Sequence, residues 1–342
     1  MKCKWMLFAV LVMVVSFGML NTSWAAEKQT VFKWATYIPK NDVDPQSATL
    51  QWFADEFEKR TNGRYAIKIF WSGTLAKVKE IPWAVRDGLA DMGDLVTPYF
   101  PDHFPINNVG CFVVPMGLTT DELGKTYFYL HEKYPAFKKE FADQNLIAIG
   151  FRPLESYGFL TREPHHSLSE LKGSKIRSFG KAWPAFIKAA GGTPVSVATP
   201  EMYEALERGV LNSTPIGITL ANRWKVDQVA KYFMGPFTPI MGHCLLMNLK
   251  THEELPQDVK AILDGLGQEY LVQWLKTLEL QVDEVKQIWK KKGVEILPID
   301  RSEIKKIIQS DLVKAVHNDW IERAKAKGLK NPEEIIEIFM PK

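Results

Sequence analysis

The sequence predicts an α/β fold with two lobes and mixed, mostly parallel sheets. Residues 171–208 read as strand, helix, strand, helix, and residues 31–96 show the same alternation. Such a rhythm is typical of parallel strands joined by crossover helices. The chain has 342 residues, which exceeds the usual size of a single domain, so we expect two lobes.

The first 25 residues have the pattern of a secretory signal. Lys2 and Lys4 precede an apolar run over residues 5–20, and Ser23-Trp24-Ala25 gives a small-x-small cleavage pattern. The apolar run is shorter than the roughly 20 residues that a membrane span needs. We therefore expect export through a cleaved signal, residues 1–25, rather than a retained membrane anchor.

The composition is that of an ordinary globular protein, with 46% hydrophobic and 24% charged residues. The formal net charge is +3, of which two units come from Lys2 and Lys4 in the predicted signal. This balance gives no support for nucleic acid or an anionic membrane as a partner. No later stretch is apolar enough to span a bilayer, so we expect no membrane insertion of the mature chain.

The elements of the first lobe follow in order from their start and stop signals. Asp44 and Pro45 fit the start of a helix whose apolar residues recur at helical spacing. We predict the following elements in this part of the chain: strands over 31–35, 65–70, 90–96 and 146–151, helices from 45, over 80–87 and over 121–141, and a crossing between lobes over 152–162.

The second part of the chain carries shorter elements and then a long helix. Thr199 fits a helix N-cap, Pro200 the first helical position and Gly209 the end of that helix. We predict a helical turn over 167–170, strands over 175–179, 194–197, 239–248 and 294–299, helices over 182–190, 200–208, 257–291 and 302–327, and an amphipathic segment over 220–232.

Arg177 is the first candidate for a binding residue. It lies on the predicted strand 175–179, and ligands of open α/β sheets bind at the carboxyl ends of strands. A guanidinium is always charged and offers a planar fork of donors, which suits a carboxylate. The ordinary alternative is a surface salt bridge.

Other reactive residues give weaker signals. Cys111 and Cys244 could pair in an exported protein or remain two buried thiols. His165 and His166 have no third ligand nearby, so we predict no metal site and no cofactor. No hydrolase, P-loop or dinucleotide motif is present, and we expect no catalytic residues.

Several segments together resemble a known family, the solute-binding proteins of TRAP (tripartite ATP-independent periplasmic) transporters, which are DctP-like. The segments are FADEFEKRTNGRYAIKIFWSGTLA, EIPWAVRDGLADMG, SLSELKGSKIRSFG, GGTPVSVATPEMYEALERGV and LLMNLKTHEELP. The resemblance covers residues 31–327. It implies the two-lobed periplasmic binding protein fold, with hinged lobes and a long helix that spans both. We place lobe 1 at 26–152 plus about 241–280, and lobe 2 at about 153–240 plus about 281–342.

The resemblance also implies a function. Proteins of this kind are not enzymes; they sit in the periplasm, close a cleft on an organic acid and deliver it to the membrane permease subunits of a TRAP transporter. Arg177 matches the arginine that pairs with the ligand carboxylate, and Glu80 matches an acidic position facing the cleft.

Two departures from the family pattern bear on the ligand. Tyr157 stands where many members have a second arginine, and residues 212–216 replace the usual Asp-Gly and the later Asn. The loss of one cation favours a monocarboxylate with an apolar or aromatic body over a dicarboxylate. The candidates to hold that body are Tyr37, Trp83, Tyr99, Tyr157, Phe179 and Trp183, each of which could equally pack in a core. Arg152, Thr214 and His243 complete the predicted site.

Two other functions remain open from the sequence. A secreted enzyme on the same scaffold could use Glu80 and Asp94 as an acid and base pair, although Glu80 also fits a first-turn helix carboxylate. A ligand-sensing partner of a signalling receptor would have the same cleft.

Overall fold

The computed structural model describes residues 29–41, 44–114 and 117–340. The predicted signal, residues 1–25, lies outside them. Within the described residues no helix combines the length and the apolar character that crossing a membrane requires.

The described strands and helices alternate through most of the chain, as predicted. The strands are β1 Thr30–Ala35, β2 Tyr65–Phe70, β3 Met92–Val96, β4 Leu146–Thr161, β5 Lys175–Ser178, β6 Thr193–Ser196, β7 Ser213–Ile216, β8 Tyr232–Asn248 and β9 Glu295–Leu297. The helices are α1 Pro45–Arg60, α2 Ile81–Arg86, α3 Thr120–Lys133, α4 Pro135–Ala142, α5 Ala182–Ala189, α6 Met202–Glu207, α7 Ile218–Arg223, α8 Leu249–Glu253, α9 Gln257–Lys292, α10 Arg301–Ile308, α11 Asp311–Ala326 and α12 Pro332–Phe339.

The strands form one mixed sheet in the order β2-β1-β3-β8-β4-β7-β5-β6, with β9 beside β8. The pairs at the two ends, β1 with β2 and β3, and β5 with β6 and β7, are parallel. The central pairs of β8 with β3 and β4, and of β4 with β7, are antiparallel. We call the part around β1–β3 the first lobe and the part around β5–β7 the second lobe.

Strands β4 and β8 join the two lobes because each runs through both. They pair along nearly their whole length, and the register shifts at several points, among them between Leu154 and Tyr157. The segment 152–162, predicted as a crossing between lobes, is therefore the second part of a continuous strand. Bulges of this kind bend and twist a strand pair, so one pair can belong to the sheet of both lobes although the lobes are oriented differently.

Helix α1 begins as its sequence predicts. The Asp44 carboxylate accepts hydrogen bonds from the backbone N–H of Gln46 and Ser47, at 3.0 and 3.1 Å. These bonds satisfy amides that have no partner within the helix. The apolar face of α1, including Phe53 and Phe57, is fully buried.

Helix α9 spans both lobes, in agreement with the expectation. It contacts α1 of the first lobe, α7 of the second lobe and the shared strand β4. Arg60 binds Glu269 at 2.7 Å on the first-lobe side, and Lys292 binds Asp227 at 2.8 Å on the second-lobe side.

Two predicted helices are each divided in two. The helix predicted over 121–141 breaks at Pro135, which begins α4, because proline lacks the amide that would continue α3. The helix predicted over 302–327 breaks before Ser310, whose hydroxyl caps α11. Helix α11 then contacts α5 of the second lobe, while Trp320 donates from Nε1 to the carbonyl of Pro105 in the first lobe at 2.8 Å. The C-terminal helices thus bridge the lobes. The boundaries that we place at residues 152/153, about 240/241 and about 280/281 remain a prediction.

Candidate functional site

A cleft lies between the two lobes, beside the crossing strands, and has an empty volume of ≈ 410 Å³ when the solvent at its open mouth is included. Its walls come from both lobes and are mostly apolar or aromatic. The lining residues are Tyr37, Gln46, Val96, Pro98, Tyr99, Leu154, Tyr157, Arg177, Phe179, Thr199, Leu220, Ile240, Gly242 and His243. Six of the residues predicted for the site are among them: Tyr37, Tyr99, Tyr157, Arg177, Phe179 and His243.

Arg177 is a buried cation on the second-lobe wall, with only 2% of its surface exposed. Its Nε donates to the carbonyl of Val197 at 2.9 Å, and its Nη2 donates to the hydroxyl of Thr199 at 3.1 Å. The guanidinium lies 4.6 Å from the ring centre of Phe179. Among the described residues no carboxylate forms an ion pair with it, and burial lowers the pKa of Arg177. An anion in the cleft would supply the missing charge.

Thr199 and Tyr99 join the two walls. The Tyr99 hydroxyl lies 3.0 Å from the Thr199 hydroxyl and accepts from the Thr199 backbone N–H at 3.1 Å. Thr199 was expected to cap a helix, but it begins a short 3-10 turn that precedes α6, and its hydroxyl binds Arg177 instead. A side chain from the first lobe thus helps to position the cation of the second.

Aromatic rings form the apolar part of the cleft. Tyr157 and Phe179 pack edge to face, with their ring centres 6.4 Å apart. Leu154, Leu220 and Ile240 add aliphatic surface. Burial raises the pKa of Tyr157 well above its usual range, so its hydroxyl stays neutral. This surface suits an apolar or aromatic group.

The first-lobe wall ends in neutral polar groups. The Tyr37 hydroxyl lies 2.9 Å from Nε2 of His243, and the two rings stack. Burial, assisted by the positive charges of Arg152 and Arg223, lowers the pKa of His243 well below its usual range, so the imidazole is neutral. Gln46, whose side chain no pattern in the sequence directs toward a ligand, lines this wall too.

Arg152 lies beneath this wall and does not line the cleft. It is fully buried, pairs with His243 across strands β4 and β8, and donates from Nη1 to the Tyr270 hydroxyl at 3.0 Å. Asp94, hydrogen-bonded to Thr36, is close enough for its charge to act on Arg152, and burial raises the pKa of the Asp94 carboxyl.

Four other predicted residues lie away from the cleft lining. Glu80 is exposed, and its carboxylate accepts from the backbone N–H of Lys77 at 2.9 Å. Trp83 packs against Phe104, Trp183 packs against Phe159, and Thr214 is buried beside Met202. Trp83, Trp183 and Thr214 therefore pack in the protein interior, and Glu80 lies at the start of α2, rather than facing a ligand.

The acid and base pair considered for an enzyme is not assembled. Glu80 is exposed beside the start of α2, whereas Asp94 is fully buried on β3. Cys111 and Cys244 are both free and buried. Within the described part of the chain, no group of three or more histidine, cysteine, aspartate or glutamate side chains could hold a metal ion.

The chain matches known proteins along most of its length. The family model described as bacterial extracellular solute-binding protein, family 7, matches residues 36–319. A protein of Albidiferax ferrireducens named solute-binding protein is 23% identical over 261 residues, which cover 74% of this chain and 75% of the relative.

Solved structures have the same fold. A TRAP periplasmic solute-binding protein of Desulfovibrio salexigens, with bound orotic acid, has a TM-score of 0.77 at 21% identity and covers 91% of this chain and 97% of that one. The Bordetella pertussis extracytoplasmic solute receptor DctP7, described as binding pyroglutamic acid, has a TM-score of 0.75 at 19% identity and covers 87% and 97%.

The family model covers well over half of the chain, and the fold agrees with it. Its structural relatives are substrate-binding receptors and not enzymes. The protein therefore belongs to the DctP family, the family 7 bacterial extracellular solute-binding proteins of TRAP transporters.

Proposed function

We propose that this protein is a periplasmic receptor that captures a monocarboxylate with an apolar or aromatic body. It leaves the cytoplasm through the cleaved signal at residues 1–25 and passes its ligand to the membrane permease of a TRAP transporter. In this mechanism the acid enters an open cleft, Arg177 binds its carboxylate with two hydrogen bonds, and closure of the lobes removes water from the ion pair.

The observation that carries the proposal is the burial of Arg177 without an acid. A cation removed from water costs several kcal/mol unless a counter-charge and further hydrogen bonds compensate it. Val197 and Thr199 supply neutral acceptors only. A ligand carboxylate would complete the site, and the pyroglutamate and orotate bound by structural relatives are small acids too.

The aromatic and aliphatic walls support the choice of a monocarboxylate. Tyr157, which stands where the family often has a second arginine, packs on Phe179 and offers no positive charge. Arg223, another cation near the cleft, forms an ion pair with Asp44. A second carboxylate would therefore meet no free cation among the residues that line the cleft.

A thermal-shift screen of the mature protein against organic acids tests the proposal. The panel includes aromatic and branched 2-oxo and 2-hydroxy monocarboxylates, C4 dicarboxylates, sugar acids and amino acids. A ligand that binds only the native state raises the melting temperature, and we expect the largest shifts from monocarboxylates. Larger shifts from dicarboxylates would contradict the ligand class, and no shift from any acid would contradict the receptor function.

A further inference from the structure

The first-lobe wall of the cleft contains buried polar atoms that the protein leaves without partners. The Gln46 amide oxygen and Nδ1 of His243 accept or donate no hydrogen bond within the described structure. Both side chains are 2% exposed, and both line the cleft. A buried polar atom without a partner costs about 1–3 kcal/mol, and most such atoms in native proteins are paired. Other buried atoms of the protein also lack partners, but these two belong to side chains that line the cleft, where a polar group of a ligand can reach them.

The groups on this wall are all uncharged. His243 is neutral because it is buried and lies near Arg152 and Arg223, and burial raises the pKa of Tyr37 above its usual range. A neutral imidazole has one donor and one acceptor nitrogen, and an amide both donates and accepts. The wall can therefore satisfy an uncharged group that donates and accepts at once.

A second carboxylate fits the same wall poorly. Arg223 is engaged by Asp44, and Arg152 is fully buried behind the wall and does not line the cleft. A carboxylate placed there would accept hydrogen bonds from neutral side chains only, and Arg152 and Arg223 would act on it through their charges without lining the cleft.

We propose that the ligand is a monoanionic acid that also carries an uncharged hydrogen-bonding group of the amide or hydroxyl kind, and that Gln46 and His243 bind this group. This inference rests on the proposed function, in which Arg177 binds the carboxylate. It assigns the selection of the ligand among monocarboxylates to the first-lobe wall, with Tyr37 holding the His243 ring in place through its hydroxyl.

Two matched series of acids test the inference by isothermal titration calorimetry. The first consists of pyroglutamate, cyclopentanecarboxylate and cyclopentane-1,3-dicarboxylate, and the second of 3-carbamoylbenzoate, benzoate and isophthalate. In the second series the ring is constant, and only the second group changes from amide to hydrogen to carboxylate. In the first series the ring size is constant, and the amide of pyroglutamate is part of the ring. In at least one series we expect the amide acid to bind about tenfold more tightly than both relatives, as one or two added hydrogen bonds would give.

Variants of the first-lobe wall test whether Gln46 and His243 cause the preference for the amide acid. Gln46→Met and His243→Phe keep most of the side-chain volume and should each reduce the ratio of amide-acid to plain-acid affinity by about 3- to 10-fold. Their affinity for the plain acid should change less than their affinity for the amide acid, and Arg177 should remain able to bind both carboxylates. Gln51→Met is the matched control, because Gln51 lies on the same helix and binds Asp55 outside the cleft. If His243→Phe does not fold, the affinity ratio measured for Gln46→Met alone tests the inference.

The outcomes separate this inference from the proposed function. Binding of the acids that is abolished by Arg177→Ala supports the proposed function. If the amide acid then has no advantage in either series, or if the wall variants leave the affinity ratio unchanged, only the present inference is wrong. Tighter binding of a dicarboxylate also overturns it. If no acid of either series binds, both the inference and the receptor function are contradicted.

Discussion

At Arg177, burial and charge oppose each other. The guanidinium has 2% exposure and two neutral acceptors, and it lies over the ring of Phe179, a contact that recovers part of the lost hydration. Such an arrangement is unfavourable in the empty protein and becomes favourable when an anion enters. Neutralisation of the buried charge thus contributes to the free energy of binding.

Replacement of Arg177 should therefore separate affinity from stability. Arg177→Ala is expected to weaken binding of the best acid by about 2–5 kcal/mol, since a desolvated carboxylate loses its partner. The melting temperature of the ligand-free variant should not fall, because an uncompensated buried cation is removed. Calorimetric titration and thermal unfolding measure the two effects.

Lys175→Ala is the control for this prediction. Lys175 lies on the same strand, but its side chain is exposed and does not line the cleft. It should leave both affinity and melting temperature unchanged. Undiminished affinity in Arg177→Ala would remove this arginine from the binding mechanism.

The residues of the cleft differ in how far the sequence reveals them. Arg177 is predictable because it lies on a short strand in a recognisable segment, SLSELKGSKIRSFG. Gln46 is not, because a glutamine in the first turn of an amphipathic helix has no pattern that distinguishes it from a surface residue. Thr199 was predicted as a helix cap, and its contact with Arg177 depends on a tertiary approach that local propensity does not contain.

Among the elements, α9 depends most on close backbone packing. At Gly267 an added Cβ would lie 2.0 Å from the carbonyl oxygen of Ile149 on β4, a distance that no relaxation of a side chain can relieve. At Gly265, two residues earlier, nothing lies within 4 Å of the same position. One helix therefore contains two glycines with opposite roles.

Alanine substitutions at these two glycines should change stability in opposite directions. Gly265→Ala is expected to raise the free energy of unfolding by about 0.5–1 kcal/mol, because alanine is the better helix former. Gly267→Ala should lower it by about 1–3 kcal/mol, since α9 must move away from β4. Urea unfolding followed by circular dichroism measures both, and equal effects would contradict this packing.

The long strands show why sequence patterns mark some elements and miss others. The sequence predicts a strand over 146–151, followed by a crossing between lobes over 152–162, and a further strand within 239–248. Pro153 and the polar Glu155 lie in the crossing segment. Both strands continue through these points, because bulges accommodate the irregular residues and the two strands remain paired on either side of them. In contrast, β1, β2 and α9 have simple alternation or helical spacing and match their predicted positions closely.

At the scale of the whole molecule, several polar contacts among the described residues join the two lobes. Tyr99 binds Thr199, Asp44 forms an ion pair with Arg223, and Lys181 lies 3.1 Å from Asp102. Each contact joins a residue of the first lobe to one of the second. Together they favour the closed cleft, and their loss should raise the population of open molecules.

Asp44→Asn tests this role without removing the start of α1. Asparagine caps helices as well as aspartate does, so the helix should persist while the charge that holds Arg223 is lost. Because the pair is largely buried, we expect ligand affinity to fall by about 1–3 kcal/mol. Small-angle X-ray scattering of the free variant should show a larger radius of gyration.

Asp143→Asn is the matched control for charge removal. Asp143 pairs with Lys139 one turn away on the exposed surface and touches neither the cleft nor the other lobe. It should change neither affinity nor scattering. An Asp44→Asn variant that behaves like this control would show that the ion pair with Arg223 does not hold the lobes together.

The two buried thiols make the opening and closing of the cleft accessible to single-molecule fluorescence. Burial raises the pKa of Cys111 to about 12 and that of Cys244 well above its usual range, so neither should react with maleimide dyes. Cysteines introduced at the exposed positions Leu89 and Val210, one on each lobe, would then take up the dyes selectively. Energy transfer between them would follow each closure event without any need to remove a native cysteine from the core.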